Sequence, residues 1–549
     1  MKNITKKHPK TMYRTSITTT ICFYKRITNA FTNPKNLLSV FTLLWLFSFS
    51  CTIQAQSSAK IMKDSLMLYN KVLSPKQMQE DLKILRTINE KANSGLYQYR
   101  SKKQVDSIYN GAFKSIKKPM STIEFYKIML RLSDYEGSLH NYTIPDLDLI
   151  NFLNRQKSFF PFPLVYINGQ IIFDGQSSDI PPGSRIKSIN GINDAQLMRS
   201  FYKYYTTDGH HLVQKLSASV NKSFGLNYLL EYGLCDEFII EYSVPKSEAL
   251  QKTVLRAVTL KERTANLKNR FSAPVTDLLD YKKQSPYSFR MINPATGLLN
   301  LRFFGMAYGS DDPKFKPYVR FLDSIFTALD KNKVANLIID VRNNPGGSDP
   351  NFEQPVMYLT DKPFKENEKA VILFDPNVLP LEKYFWGTST SERMDSTALK
   401  AGKEYLKSLY PVFQNNISIQ DQKYNPVYHP KSPLFKGKLY LLINENVASA
   451  ASHFASLVKA YVDNVTIVGL ETVGGYYVHN GHSPLVYELP NSKVKTQFSI
   501  VNVVQDAPKK ANQPEGHGIM PDYEVWPTLD DFFEQKDTQM EFVLKLIAK

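Results

Sequence analysis

Ser449 lies where a predicted strand ends and a predicted helix begins. The apolar run Leu441 to Ile443 is typical of a strand in a sheet covered on both faces, and turn-forming residues follow at 444–446. Small and apolar residues at helical spacing then predict a helix that begins beside Ser449. The first amides of a helix lack intrahelical partners and can stabilise an oxyanion. Ser449 is therefore a candidate nucleophile, although the same pattern is typical of an ordinary serine at a helix N-terminus.

A histidine on a loop could supply a base. The capping box that starts at Ser121 begins a predicted helix that ends near Asp134. Gly137 permits a break in the chain, and His140 follows at once. A loop positioned by a helix is a common way to present a catalytic group, so His140 is a candidate.

A pair of glycines follows another predicted strand, at 334–341. Gly346 and Gly347 let the backbone approach a ligand closely and direct amides towards it. We expect Asp340 and Arg342 to fix the end of this strand by pairing with each other. Glycines after a strand are common in turns, so this feature alone does not define a site.

Three regions must position these groups. Residues 57–150 are predicted to be helical, and residues 155–260 contain short β-branched or aromatic runs separated by turn residues. From 285 to 549 strands and helices alternate, which predicts a parallel or mixed sheet covered by helices. Within this part, a polar stretch at about 375–435 is predicted to be a surface insertion, and 529–546 a closing helix.

The first 56 residues differ from the rest of the 549-residue chain. They hold eight Lys or Arg, no Asp or Glu, and the apolar run Leu37 to Phe49, which is the pattern of a secretory signal. Removing 1–56 would take eight of the seventeen net positive charges, so the basic composition is poor evidence for nucleic acid binding. We expect an exported protein, periplasmic or secreted. A membrane anchor through a lipidated Cys51 is the alternative.

Four segments occur in one order along the chain: LHN around His140, DVRNNPGG at 340–347, NENVASAAS at 444–452, and PEGHGIMPDYEV at 514–525. Together they resemble the C-terminal processing, or tail-specific, serine peptidases, and most closely the tricorn-core branch. This resemblance implies a crotonase/ClpP-like α/β core. The segment PPGSRIKSING is similar to the closing part of a PDZ-like domain, which implies a PDZ-like module at 155–260.

The resemblance also implies roles for individual residues. Ser449 would be the nucleophile of a peptidase, and His140 the general base. Glu515 would be the acidic member, which orients the histidine through a hydroxyl. The family has that hydroxyl directly before the histidine, where this chain has Leu139. Whether Ser138, Tyr142 or no hydroxyl completes the relay is left open.

For the oxyanion hole, the resemblance points to an amide of Gly346 or Gly347 together with that of Ala450. The implied substrate is a polypeptide. No pattern for a metal or nucleotide site is present, so no cofactor is expected.

The chain departs from the processing branch at the position of that branch's lysine base. That branch carries its lysine base in a GxTxGK segment, and here the lysine position is Gly475. His479 and His482 follow it and are the rival bases to His140. Two alternatives to a peptidase remain open: an inactive peptide- or ligand-binding protein on the same fold, and a serine hydrolase of esters or amides.

Overall fold

The computed structural model describes Met67 and residues 69–176, 179–272 and 284–549. The predicted signal segment at 1–56 and Cys51 lie outside the described residues. Within the part of the chain that is described, no helix is both long and apolar enough to cross a bilayer.

The N-terminal region is mainly helical. Its third helix begins at the expected capping box, in which Ser121 and Glu124 satisfy each other's backbone amides, and it ends at Gly137 in the left-handed conformation. Three short strands accompany the helices. The elements are α1 (Pro75–Ala92), α2 (Lys102–Ser115), α3 (Thr122–Glu136), α4 (Leu147–Asn154), β1 (Val72–Leu73), β2 (Met120–Ser121) and β3 (Tyr142–Ile144).

The second region is built on an antiparallel sheet with strand order β4-β5-β6-β8-β9, to which β7 adds by pairing with β6. The short β-branched or aromatic runs of the sequence form strands such as β4, β5, β6 and β8. Its strands are β4 (Leu164–Ile167), β5 (Gln170–Phe173), β6 (Arg185–Ile189), β7 (Ile192–Asn193), β8 (Glu237–Ser243) and β9 (Leu250–Arg256).

This region also contains helices that the sequence analysis did not predict. The first begins at a capping box formed by Asn193 and Gln196, a signal that was present in the sequence. The helices are α5 (Asp194–Phe201), α6 (Val213–Asn221), α7 (Phe224–Tyr232) and α8 (Leu260–Asn266).

The third region contains the predicted α/β sheet, with strand order β10-β11-β12-β17-β18-β21. All its pairs are parallel except β10 with β11. Helices α9 and α12 cover one face and α14 the other, so alternate residues of each strand are buried on opposite faces. The elements are β10 (Tyr287–Asn293), β11 (Thr296–Leu301), α9 (Phe315–Lys331), β12 (Asn336–Asp340), β17 (Lys438–Ile443), α12 (Ala450–Tyr461), β18 (Val465–Gly469), β21 (Tyr523–Glu524) and α14 (Thr538–Ile547).

A second, antiparallel sheet lies in the same region, with strand order β14-β19-β20-β13-β16-β15 and with β3 paired to β20. The stretch at 375–435 is therefore more than a surface insertion, because it supplies β14, β15 and β16 to this sheet. The elements are α10 (Glu353–Val356), β13 (Asn367–Ile372), β14 (Phe385–Gly387), α11 (Ser396–Leu409), β15 (Val412–Gln414), β16 (Ile417–Ile419), β19 (Val478–Glu488) and β20 (Lys495–Gln505).

The predicted closing helix at 529–546 is two helices, α13 (Leu529–Glu534) and α14. Gln535 adopts the left-handed conformation with φ 53°, which ends α13. Asp537 then caps α14 by accepting a hydrogen bond from the Met540 amide.

Candidate active site

Ser449 occupies the corner between β17 and α12 in a strained backbone conformation. Its φ is 52° and its ψ is −130°, values that a residue other than glycine adopts at a cost of about 1–3 kcal/mol. Its side chain makes no capping hydrogen bond to α12. An ordinary N-terminal helix serine would cap the helix, so the structure contradicts that alternative.

The turn after β12 is fastened to the turn after β17. The Asn343 amide donates to Oδ1 of Asn444 at 2.9 Å, and Nδ2 of Asn444 donates back to Oδ1 of Asn343 at 2.9 Å. The Ala448 amide donates to the carbonyl of Asn344 at 3.1 Å. The glycine turn and the serine corner are therefore held together by hydrogen bonds.

Asp340 and Arg342 form the predicted ion pair at the end of β12. Arg342 donates to Asp340 at 2.8 Å and also to Asp537 at 2.7 Å. The pair thus fastens the strand end to the cap of α14.

Gly346 lies directly against the serine. A Cβ at this position would be 2.7 Å from the Ser449 Cβ and 3.0 Å from the Ala450 nitrogen, and φ is 103°. Its own amide donates to Oδ1 of Asn344 at 2.9 Å. Gly346 therefore provides close approach, while its amide is already used and is not available to an oxyanion.

The amides of Gly347 and Ala450 are available. Neither donates a hydrogen bond to another group in the described chain. Gly347 directly follows the glycine that touches Ser449, and Ala450 is the first residue of α12, where a backbone amide has no intrahelical partner. Of the predicted donors, these two could bind an oxyanion.

His140 meets Ser449 across 309 positions of sequence. Its Nε2 lies 3.2 Å from the Ser449 Oγ. Burial lowers the pKa of His140 to about 4, with a smaller contribution from His482. The imidazole is therefore neutral near pH 7 and can accept a proton from the hydroxyl.

The loop that carries His140 is anchored by Asp208, a residue that the sequence analysis did not single out. Asp208 accepts from the Leu139 amide at 2.7 Å and from the Gly475 amide at 2.9 Å. Burial raises the pKa of Asp208 to about 7, against the effect of these two amides. One side chain from the second region thus joins the histidine loop to the segment after β18.

The other ring nitrogen of His140 faces no carboxylate. Nδ1 is buried and has no hydrogen-bond partner within the described residues. The backbone of Asn480 favours the protonated ring. The side chain of Asn480 is in turn held by Oδ1 of Asn93 at 3.0 Å, and Asn93 donates to Glu136 at 3.3 Å.

Glu515 does not take the position expected for the acidic member. Its side chain is 76% exposed and pairs with Lys509 at 3.0 Å. The backbone next to it is fixed, because the His210 amide donates to the carbonyl of Gly516 at 2.9 Å. An exposed carboxylate paired with a lysine does not orient a buried imidazole, so this prediction is corrected.

Neither candidate hydroxyl completes a relay in this structure. The Ser138 hydroxyl is buried without a hydrogen-bond partner among the described residues. Tyr142 donates to Gln497 at 2.5 Å.

The rival histidines have other partners. His482 pairs with Glu366 at 3.1 Å, and His479 packs edge-on against His453 with ring centroids 5.3 Å apart. Within the described chain, His140 is the histidine that makes a hydrogen-bond contact with Ser449.

The comparisons with known proteins agree with this fold. Residues 313–525 match the model of peptidase family S41. A search of curated protein sequences gave no significant match.

Several solved structures are similar to this chain to different degrees. Mature CPAF complexed with lactacystin gives a TM-score of 0.56 at 16% identity, covering 86% of this chain and 97% of CPAF. Mature CPAF alone gives 0.52 at 15% identity, covering 86% and 96%. The photosystem II D1 C-terminal processing protease gives 0.37 at 14% identity, covering 86% and 97%.

At these identities, the CPAF structures show a common fold, and the family match adds the sequence pattern of residues 313–525. That span contains the glycine turn after β12 and the serine corner before α12. Residues 313–525 thus carry the pattern of peptidase family S41, and the chain is a serine-type peptidase.

Proposed function

We propose that this protein is an exported peptidase that hydrolyses peptide bonds in polypeptides, with Ser449 as nucleophile and His140 as general base. The proposal rests on one observation above all, the 3.2 Å contact between Nε2 of His140 and Oγ of Ser449. A serine hydroxyl is a weak nucleophile until an adjacent base takes its proton, and a neutral imidazole at this distance can do so.

In the proposed reaction, the Ser449 Oγ attacks the carbonyl carbon of the scissile bond while its proton passes to Nε2 of His140. The tetrahedral intermediate collapses when His140 returns that proton to the leaving amine, which leaves an acyl-enzyme. His140 then takes a proton from water, the hydroxide adds to the acyl carbon, and collapse releases the carboxylic acid and returns the proton to Ser449.

We propose the amides of Gly347 and Ala450 as the oxyanion hole. Both have no acceptor in the described chain, and both adjoin the Gly346–Ser449 contact. Removing one such donor typically costs about 100- to 1,000-fold in turnover. Gly346 is proposed to permit this close approach, without donating.

The histidine is proposed to act without a carboxylate on Nδ1. The backbone of Asn480 favours the protonated ring, and the Asn93–Glu136 chain behind it fixes the Asn480 side chain. The site is thus a serine–histidine pair whose histidine loop is anchored by Asp208.

The other parts of the chain are given roles in the same proposal. The α/β region is proposed to be a crotonase-like core of the tricorn type. Residues 155–260 are proposed to be a PDZ-like module, whose segment around Asp208 supports the histidine loop. Residues 1–56 are proposed to direct export and to be removed.

Labelling the mature protein with a fluorophosphonate, which reacts with activated serines, tests the proposal. We expect wild type to be labelled, Ser449→Ala to give no label, and His140→Ala to be labelled at least about 100-fold more slowly. No label on folded wild type would favour the inactive binding protein. Label without cleavage of any member of a peptide library, but with hydrolysis of small esters, would favour the ester or amide hydrolase.

A further inference from the structure

An acidic cluster lies between the glycine turn and the second sheet. The candidate ligand atoms of Asp349, Glu366 and His482 all lie within 4.8 Å of one another. Asp349 follows the glycine turn, Glu366 directly precedes β13, and His482 belongs to β19. Three separate segments therefore bring one nitrogen and two carboxylates to the same point.

The backbone of β19 is distorted where it presents His482. The pairing of β19 with β20 shifts register between Gly481 and Pro484, and His482 and Ser483 adopt φ values of 58° and 44°. A bulge of this kind redirects a side chain out of the regular alternation of a strand. Here it brings the imidazole to Glu366, with Nε2 3.1 Å from Oε1.

A buried carboxylate beside the cluster has an unused oxygen. Glu353 is fully buried, its Oε1 accepts from the Tyr428 hydroxyl at 3.1 Å, and its Oε2 has no hydrogen-bond partner in the described chain. Burial and the nearby carboxylates of Asp349 and Glu366 raise the pKa of Glu353. A cation held by those two carboxylates would relieve this like-charge repulsion, and a buried oxygen without a partner is otherwise costly.

The cluster is open to solvent through a cavity of about 680 Å³. Asp349, His482 and Tyr428 line this cavity, and the His482 side chain is 41% exposed. An ion can therefore reach the carboxylates without unfolding of the surrounding structure.

From this arrangement, we propose that Asp349, Glu366 and His482 bind a divalent transition-metal ion of the Zn²⁺ type, with Glu353 as an additional buried carboxylate. Imidazole and carboxylate together suit Zn²⁺, whose ligand atoms lie at about 2.0–2.2 Å and hence about 3.3 Å apart in a tetrahedron. The 3.1 Å separation of His482 and Glu366 already fits such an edge. A water would complete the coordination.

The proposed metal site does not depend on the proposed peptidase chemistry, so its test uses the inactive Ser449→Ala form of the mature chain. After treatment with a chelator, the protein is titrated with Zn²⁺ in a calorimeter and with Co²⁺ in a visible spectrometer. We expect one ion per chain, the absorption of tetrahedral Co²⁺, and a higher thermal midpoint with Zn²⁺.

Variants locate the ion. Glu366→Gln and His482→Ala should each weaken Zn²⁺ binding at least about tenfold. Losing a residue that only supports a metal ligand already costs about 10- to 100-fold in affinity, and losing a ligand itself should cost at least as much. The matched control is His517→Ala, which breaks a similar pair, that of His517 and Glu471 at 3.0 Å, and should leave binding unchanged. Circular dichroism is used to check that each variant is folded.

Two results would overturn the proposal. If folded wild-type protein binds no Zn²⁺ at Zn²⁺ concentrations well above that of the protein, the proposed site does not exist. Binding that survives His482→Ala, or that is lost in His517→Ala, belongs to another group of residues.

Discussion

The carboxylate of Asp208 accepts a hydrogen bond from the backbone amide of Leu139, the residue directly before His140, at 2.7 Å. Its second oxygen accepts from the Gly475 amide at 2.9 Å. Because burial disfavours the charged form, Asp208 is held here at a cost, with two amides as its compensation. We infer that it positions the imidazole and does not itself touch the substrate.

Asp208→Asn should slow fluorophosphonate labelling of Ser449. The two carboxylate oxygens of Asp208 each accept one amide, whereas asparagine has a single oxygen. One of the two buried amides, that of Leu139 or that of Gly475, would then face an NH₂ group. A buried amide without an acceptor costs about 1–3 kcal/mol, or about 5- to 150-fold in rate if the loss falls on the reactive geometry. The labelling rate constant and the free energy of unfolding are measured together.

Asp81→Asn is the matched control, because Asp81 is also fully buried and accepts the amides of Asn491 and Ser492 at 3.1 and 2.8 Å. It joins α1 to the turn between β19 and β20. We expect a similar loss of stability with unchanged labelling. Equal effects of both variants on labelling would mean that Asp208 only stabilises the fold.

The labelling rate should be lost only at a low pH, well below the usual pKa of histidine. Burial lowers the pKa of His140 to about 4, whereas an unperturbed histidine titrates near 6.5. The base is neutral above its pKa, so labelling should rise as pH increases through about 4. A second change is expected near pH 7, where Asp208, which anchors the histidine loop, loses its proton. Samples returned to pH 7 before assay separate titration from denaturation, and the absence of any rise near pH 4 would contradict the effect of burial.

The same shift has a consequence for stability. A histidine whose folded pKa is below its unfolded pKa takes up a proton first in the unfolded state. Its contribution is therefore complete above about pH 6.5 and is lost as pH falls towards 4. Urea unfolding across this range should show a smaller pH dependence in His140→Gln than in wild type.

Gly346→Ala should abolish function by steric exclusion. The added Cβ would lie 2.7 Å from the Ser449 Cβ, at a φ of 103°. Displacing the serine by even about 1 Å can cost about 100-fold in rate. Gly191→Ala is the matched control, because Gly191 also has a positive φ, 77°, yet has no atom within 4 Å of the added Cβ. It should lose about 1–2 kcal/mol of stability with normal labelling, and a labelled Gly346→Ala would contradict the proposed role of that contact.

The sequence allowed much of this arrangement to be predicted, but for different reasons in different places. The strands β12 and β17 and the helix α12 follow from apolar spacing, which is a local property. The pairing of His140 with Ser449 came from the order of motifs, since no periodicity relates residues 309 positions apart. Asp208 was missed because its partners are backbone amides of Leu139 and Gly475, and backbone contacts leave no residue pattern.

Glu515 illustrates the opposite error. Its motif was recognised, but a motif fixes the path of the backbone better than the direction of a side chain. The carbonyl of Gly516 is held by the His210 amide at 2.9 Å, and Gly209 packs so closely on Gly516 that an added Cβ would lie 2.0 Å from its carbonyl oxygen. The tail is thus in place, while the carboxylate points to solvent.

Glu515→Gln should therefore leave labelling within about threefold of wild type. The pair of Glu515 with Lys509 is exposed to solvent, which screens the interaction, so it contributes little to stability. Lys509→Gln removes the same pair from the other side and serves as the control. A large loss in Glu515→Gln alone would mean that the tail moves and brings the carboxylate to the histidine when substrate binds.

Ser449→Gly should be more stable than Ser449→Ala, although both are inactive. The φ of 52° and ψ of −130° at this corner strain any residue with a Cβ, and glycine relieves most of that cost. We expect a gain of about 1 kcal/mol in the free energy of unfolding, measured in urea. Ala401→Gly, at an exposed position in α11, should change stability by a similar amount in the opposite direction, because glycine is unfavourable within an ordinary helix. A Ser449→Gly protein no more stable than Ser449→Ala would mean that the corner is unstrained and that its geometry is not maintained for catalysis.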